Sequence, residues 1–247
     1  MNLWNHCRSR CSIRSVLGAP RKLRSWRPPS LITITSTANV SAWTAVFACS
    51  RDNRRSIMSE EATVLTDEAD GVLVITINRP QAKNAVNRAV AEGIATALER
   101  LDSDDTLRVG ILTGAGGTFC AGMDLKAFVS GEFPQIEGRG FGGMTERSAD
   151  KPLIAAVEGY ALAGGCELAI ACDLIIAAEN AKFGIPEVKR GLVAAAGGLV
   201  RLPSQIPYRV AMELALTGEF MDADRAMAMG LINQLTKPGE ALATARA

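Results

Sequence analysis

The sequence predicts an α/β domain, and three observations predict it. From Met58 onward, short β-rich runs alternate with segments of helical period. Two glycine-rich turns, "GAGGTFCAGMDL" and "EGYALAGGCEL", each lead from a strand into a helix. The composition changes abruptly near Met58, which confines the alternating pattern to residues 58–247.

The elements follow in order. "GVLVITINRP", 71–80, is β-rich and stops at Pro80, which predicts a strand. Residues 87–105 carry Val90, Ile94, Ala97, Leu98 and Leu101 at helical spacing. "RVGILTG", 108–114, is a second strand, and the first glycine-rich turn then runs into a short helix. "KPLIAAVEG", 151–159, is a third strand, followed by a helix that is apolar all round except for Glu167. "DLIIAAE", 173–179, is a strand, and "FGIPEVKRGLVAAAGG" reads as a loop region. "YRVAMELALTG" and "DADRAMAMG" read as helices, each closed by Gly. "LINQLT" is a short strand, and "KPGEALATARA" opens another helix. Gly114 and Gly116 follow a strand, but Phe119 stands at the third fingerprint position, which argues against a dinucleotide-binding fold.

Composition narrows the function. Of 27 basic and 26 acidic residues, ten and one fall in residues 1–57, leaving 17 and 25 in the body. An acidic body argues against nucleic-acid binding. No uncharged stretch is convincing as a membrane span. The one histidine, His6, lies in the basic leader. The body therefore has no histidine for a nucleophile triad or for a metal. The six cysteines show neither a disulfide framework nor metal spacing, and free thiols in a reducing compartment are the simplest reading. The Arg- and Ser-rich leader, 1–57, fits an organelle transit peptide, a secretory signal, or sequence upstream of a true start at Met58. None of the three predicts a packed element there.

Two carboxylates stand out. Glu167 sits among Ala, Gly, Cys and Leu, where an unpartnered acid is costly and calls for a purpose or a partner. Glu187 follows a Pro in a loop twenty residues later, far enough for the chain to go out and return to one place. The two glycine-rich turns could bring two helix-terminal N–H groups to a single oxygen. Taken alone, tight turns account better for the glycines and a surface loop charge for Glu187, whereas the apolar neighbours of Glu167 point to function.

From Gly71 to about Thr236 the chain resembles the crotonase (enoyl-CoA hydratase/isomerase) superfamily. The motifs are "INRPQAKNAVN", "GAGGTFCAGMDLK", "VEGYALAGGCELAIACDLIIAAENAKFGIPEVKRGL", "AAAGGLVRLP" and "ALTGEFMDADRAMAMGLIN", in that order. The resemblance implies a spiral of ββα turns that binds acyl-CoA thioesters. It puts the oxyanion-hole amides at Met123 and Gly164 and the catalytic carboxylates at Glu167 and Glu187. It makes Lys83, Ala85, Ala121, Gly122, Asp124, Leu125 and Lys126 substrate-binding candidates, with Lys83 near the CoA phosphates. The implied reaction is hydration of a 2-enoyl-CoA, with no cofactor beyond the CoA of the substrate, and no nucleic acid or membrane as partner. Alternatives are an isomerase, a hydrolase, a decarboxylase, a carnitine-related hydratase, or a non-catalytic acyl-CoA- or RNA-binding relative. The family also implies trimers or hexamers built with C-terminal helices that continue past Ala247, so the sequence reads as truncated there. The expected location is cytoplasmic, or the mitochondrial matrix if the leader is a transit peptide.

Overall fold

A computed structural model describes residues 62–247. The expectations for residues 1–57, and for the chain start at Met58, lie outside the described residues. Strands β1 (Val64–Ala69) and β2 (Val72–Ile77) form an antiparallel hairpin. Asp70 and Gly71 close it with φ of 55° and 81°, the left-handed pair that a two-residue hairpin turn needs. Helix α1 (Arg88–Ser103) follows, its N-terminus capped by Asn87, whose side chain accepts from the Val90 amide. All five residues expected on its apolar face are buried. β3 (Val109–Gly114) then pairs parallel with β2.

The next elements are α2 (Leu125–Val129), a two-strand pair β4 (Gln135–Ile136) and β5 (Gly140–Phe141), β6 (Leu153–Val157), β7 (Tyr160–Leu162) and α3 (Gly164–Ile170). They are followed by β8 (Leu174–Ala178), β9 (Lys182–Gly184), a 3-10 turn at Pro186–Arg190, α4 (Gly198–Gln205) and α5 (Tyr208–Thr217). The chain closes with β10 (Met221–Asp222), α6 (Ala223–Ala228), β11 (Gln234–Thr236) and α7 (Ala241–Arg246).

One sheet has the order β1-β2-β3-β6-β8-β11, parallel from β2 onward. A smaller sheet has the order β10-β9-β7. The bridge between Cys120 and Ala161 extends that small sheet by one position. The chain therefore visits the large sheet, the small sheet and a helix in turn, three times over. The passes are β3–Cys120–α2, β6–β7–α3 and β8–β9–α4, and this repetition is the spiral of ββα turns.

The apolar run Val72–Ile75 of β2 follows from burial on both faces. Leu73, Ile75 and Ile77 join the main core with Ile94, Leu98 and Leu168, while Val74 packs with Ile111, Ala156 and Ala241 on the other face. No helix among the described residues is long and apolar enough to cross a membrane.

Three expectations need correction. The first strand has a partner, β1, upstream of it. Strand 151–159 does not lead directly into a helix, because β7 intervenes. The "loop region" 183–198 contains the 3-10 turn, and α4 starts at its last residue, in a stretch where the sequence predicts no element. Gly197, Gly198 and Pro203 disguise α4 in the sequence, although Leu202 anchors it in the core.

Candidate active site

The two glycine-rich turns lie against each other, and their glycines are there for close approach. Gly122 has φ of 104°, and a Cβ on it would sit 2.8 Å from the Ala163 Cβ and 3.3 Å from the Gly164 nitrogen. A Cβ on Gly164 would meet the Phe141 ring at 2.5 Å, and one on Gly165 would overlap the Cys120 carbonyl. Ala163, immediately before α3, has φ of 52° and ψ of −129°. That conformation is strained for a residue with a Cβ, and such strain concentrates at functional sites. Ala163 is held there by its amide, which donates to the Gly184 carbonyl at 2.8 Å. The strained turn orients the Gly164 N–H as the first of the helix. Among the turn and loop backbone hydrogen bonds of the described residues, the Met123 and Gly164 amides have no acceptor.

Met123 and Gly164 both line a cavity of about 600 Å³, whose walls also include Lys83, Ala121, Glu167 and Glu187. The fold thus brings both carboxylates and both candidate donors to one place. Glu167 is 3% exposed. Its Oε1 accepts from the Gly198 amide at 2.9 Å, at the first residue of α4. Burial raises the Glu167 pKa, and the Gly198 and Ala196 amides and the Arg201 charge pull it back down. Arg201 itself bridges the Ala196 and Thr145 carbonyls behind the carboxylate. Glu187 is half-buried, and its Oε2 is enclosed with no hydrogen-bond partner. Burial pushes its pKa up to about 7, opposed by its own backbone amide and by Arg190, with the Glu167 charge adding to the rise. The two acids therefore sit in unlike environments: one is held by the backbone amides of another segment, the other has an enclosed oxygen without a partner.

The remaining candidates divide. Lys83 lines the cavity, with its Nζ 5.4 Å from the centre of the Tyr160 ring, and Leu125 also lines it. Ala85, Gly122, Asp124 and Lys126 are not in the cavity wall. Asp124 caps α2 and pairs with Arg79 at 2.9 Å, while Arg79 also donates to the Ala85 carbonyl. These residues and Gly122 shape the turn that carries Met123.

Sequence reasoning missed Asn84. It is fully buried, has φ of 56°, and donates to the Ala115 and Thr118 carbonyls while accepting from the Arg79 amide. It ties the Lys83 turn to the first glycine-rich turn. A polar residue inside "AKNA" was its only signal. Gly198 and Arg201 were missed as well, because their link to Glu167 is purely tertiary.

Cys120, Cys166 and Cys172 are buried free thiols, and burial pushes the first two up to about 12. No group of residues among those described could hold a metal ion.

A family model described as enoyl-CoA hydratase/isomerase matches residues 67–246. The chain is similar to the carnitinyl-CoA dehydratase of Salmonella enteritidis, with 43% identity over 179 residues, 71% of this chain and 68% of that protein. It is similar in structure to an enoyl-CoA hydratase from Mycobacterium marinum, with 64% identity and a TM-score of 0.74, covering 75% of this chain and 73% of that one. It is also similar to a carnitinyl-CoA hydratase from Mycobacterium avium, with 47% identity and a TM-score of 0.73, covering 75% and 72%.

Proposed function

The chain belongs to the enoyl-CoA hydratase/isomerase family, and on that premise we propose that it adds water to the double bond of a 2-enoyl-CoA. One observation carries the reading: two carboxyls in unlike environments share a cavity with two unpaired amides from facing turns. Glu167, held as a carboxylate by the Gly198 amide, takes a proton from water as its oxygen bonds to C3. Charge moves to the thioester oxygen, where the Met123 and Gly164 amides stabilise it; one such donor is typically worth about 3–4 kcal/mol. Glu187, bare at Oε2, holds the proton that passes to C2. The net change is addition of one water, and the two glutamates re-equilibrate their proton through solvent. No cofactor beyond the CoA of the substrate enters this scheme. Lys83, at the far wall, is the candidate for a CoA phosphate. Exposed Val200, Tyr208 and Leu216 are the residues we assign to self-association into a trimer or hexamer.

The test is consumption of crotonyl-CoA, read as loss of the conjugated thioester absorbance. Tight binding of a saturated acyl-CoA with no such loss would overturn the hydratase reading in favour of a binding protein.

The pH profile follows from the two acids. Glu187 must be protonated, so kcat/KM is expected to fall as pH rises through about 7. Glu167 must be ionised, and its raised pKa puts the acid limb above the ordinary carboxylate range. A bell-shaped profile results. A rate that stays level from mildly acidic to alkaline pH would remove Glu187 from the acid role.

A further inference from the structure

We propose that the acyl end of the cavity takes an uncharged hydrocarbon chain and rejects a cationic one, with Arg190 as the discriminating residue. This rests on the hydratase reading above and names its substrate class. The argument begins with local geometry. Pro186–Arg190 is a 3-10 turn, and three residues per turn put side chains i and i+3 on one side. Glu187 and Arg190 are such a pair, and both line the cavity. Among the described residues Arg190 has no ion-pair partner, whereas its neighbour Lys189 is held by Glu219 at 2.8 Å. A positive charge, itself exposed to solvent, therefore flanks the reacting carboxyl on the same side of the turn.

The acids lining the cavity are Glu167 and Glu187, and both are committed to proton transfer. No third carboxylate remains to accompany a fixed positive charge on the substrate. Aromatic faces could serve a quaternary ammonium instead, but four of the five rings lining the cavity already face a cation or one another, and the fifth, Phe141, is buried against Gly164. Tyr160 faces the Lys83 Nζ at 5.4 Å, and Phe220 faces the Lys189 Nζ at 5.9 Å. Phe128 and Phe133 meet edge to face with centroids 5.3 Å apart. Apart from Gln135 and the backbone donors, what is left of the wall is hydrocarbon, including Leu162, Leu192, Val193 and Ala195. A carnitinyl group carries a trimethylammonium, which this wall disfavours.

The experiment measures one ratio in the wild type, Arg190→Gln and Arg190→Glu. Isothermal titration compares butyryl-CoA with its 4-trimethylammonio counterpart, neither of which can be hydrated. The same ratio is read in kcat/KM from crotonyl-CoA and its 4-trimethylammonio derivative. The wild type is expected to favour the uncharged chain by at least ~tenfold, about 1.4 kcal/mol, which one nearby charge can supply. Arg190→Glu is expected to move the ratio at least ~tenfold towards the cationic chain, with Arg190→Gln between. A ratio within one protein is insensitive to partial loss of folded material, and Arg190→Gln carries the test if Arg190→Glu does not fold. Equal binding of both thioesters by the wild type overturns the proposal, as does a ratio unmoved by both substitutions. Discrimination in binding without hydration of crotonyl-CoA would sink the hydratase reading and leave the charge selection standing.

Discussion

Glu167→Gln and Glu187→Gln are each expected to lower kcat for crotonyl-CoA hydration by at least ~100-fold, the low end for acid–base catalysis. Glutamine keeps the size and one acceptor oxygen, so Gly198 retains a partner and the cavity retains its shape. What is lost is the base at one position and the proton donor at the other. The double variant should lose much less than the product of the single losses, because groups acting in one transition state are not additive. KM should change little, since binding rests on the backbone donors and the Lys83 end. The measurement is steady-state hydration, with far-UV circular dichroism to confirm that each variant is folded. If either single variant hydrates crotonyl-CoA at a near-native rate, that glutamate is a structural charge, and an isomerase or binding role moves ahead.

Gly165→Ala is expected to remove activity through the fold. The added Cβ would overlap the backbone carbonyl of Cys120, with its carbonyl carbon at 2.8 Å. Backbone cannot swing aside as a side-chain tip can. Cys120 is fixed from both directions, by its amide to the Tyr160 carbonyl and by its carbonyl to the Leu162 amide. Relief would push apart the two turns that hold Met123 and Gly164. Overpacking of this kind costs about 3 kcal/mol or more, which corresponds to a melting temperature roughly 6–12 °C lower for a domain of this size. Gly117→Ala is the control. Its φ is positive at 73°, unlike that of the helical Gly165, and nothing lies within 4 Å of its added Cβ. It carries only the left-handed backbone penalty of about 1–2 kcal/mol. Equal melting temperatures for the two variants would show that the turns are looser than their contacts imply.

Much of this fold was legible because its longer elements carry clean periodicity. α1 shows its buried face in sequence, and β2, β3, β6 and β8 are apolar enough to be covered on both sides. The short pieces were not legible. β7 and β9 are three residues each, too short for a period, and they exist because they pair with each other. β1 could have been found from the Asp70–Gly71 dipeptide, an established hairpin signal. In the site, the burial of Glu167 could be inferred from its neighbours, and the fold supplies its partner. That partner, Gly198, is 31 residues away on a helix the sequence conceals. Nothing in the sequence marks Ala163 for a left-handed φ. Only the bond to Gly184 and the contact with Gly122 impose it.

The sealed thiols supply a clock for the opening of this domain. Cys120 lies in the first glycine-rich turn, Cys166 beside Glu167, and Cys172 just beyond α3, all buried. Alkylation needs both access and a thiolate, and in the native state these thiols have neither. Iodoacetamide should therefore reach them only in molecules that have transiently unfolded, at a rate set by the unfolding equilibrium when reclosing is fast. Peptide mapping by mass spectrometry separates these three from Cys7, Cys11 and Cys49. All three should be modified together, and progressively faster as urea is raised. Early, selective labelling of Cys120 would instead reveal that the wall behind Met123 opens on its own.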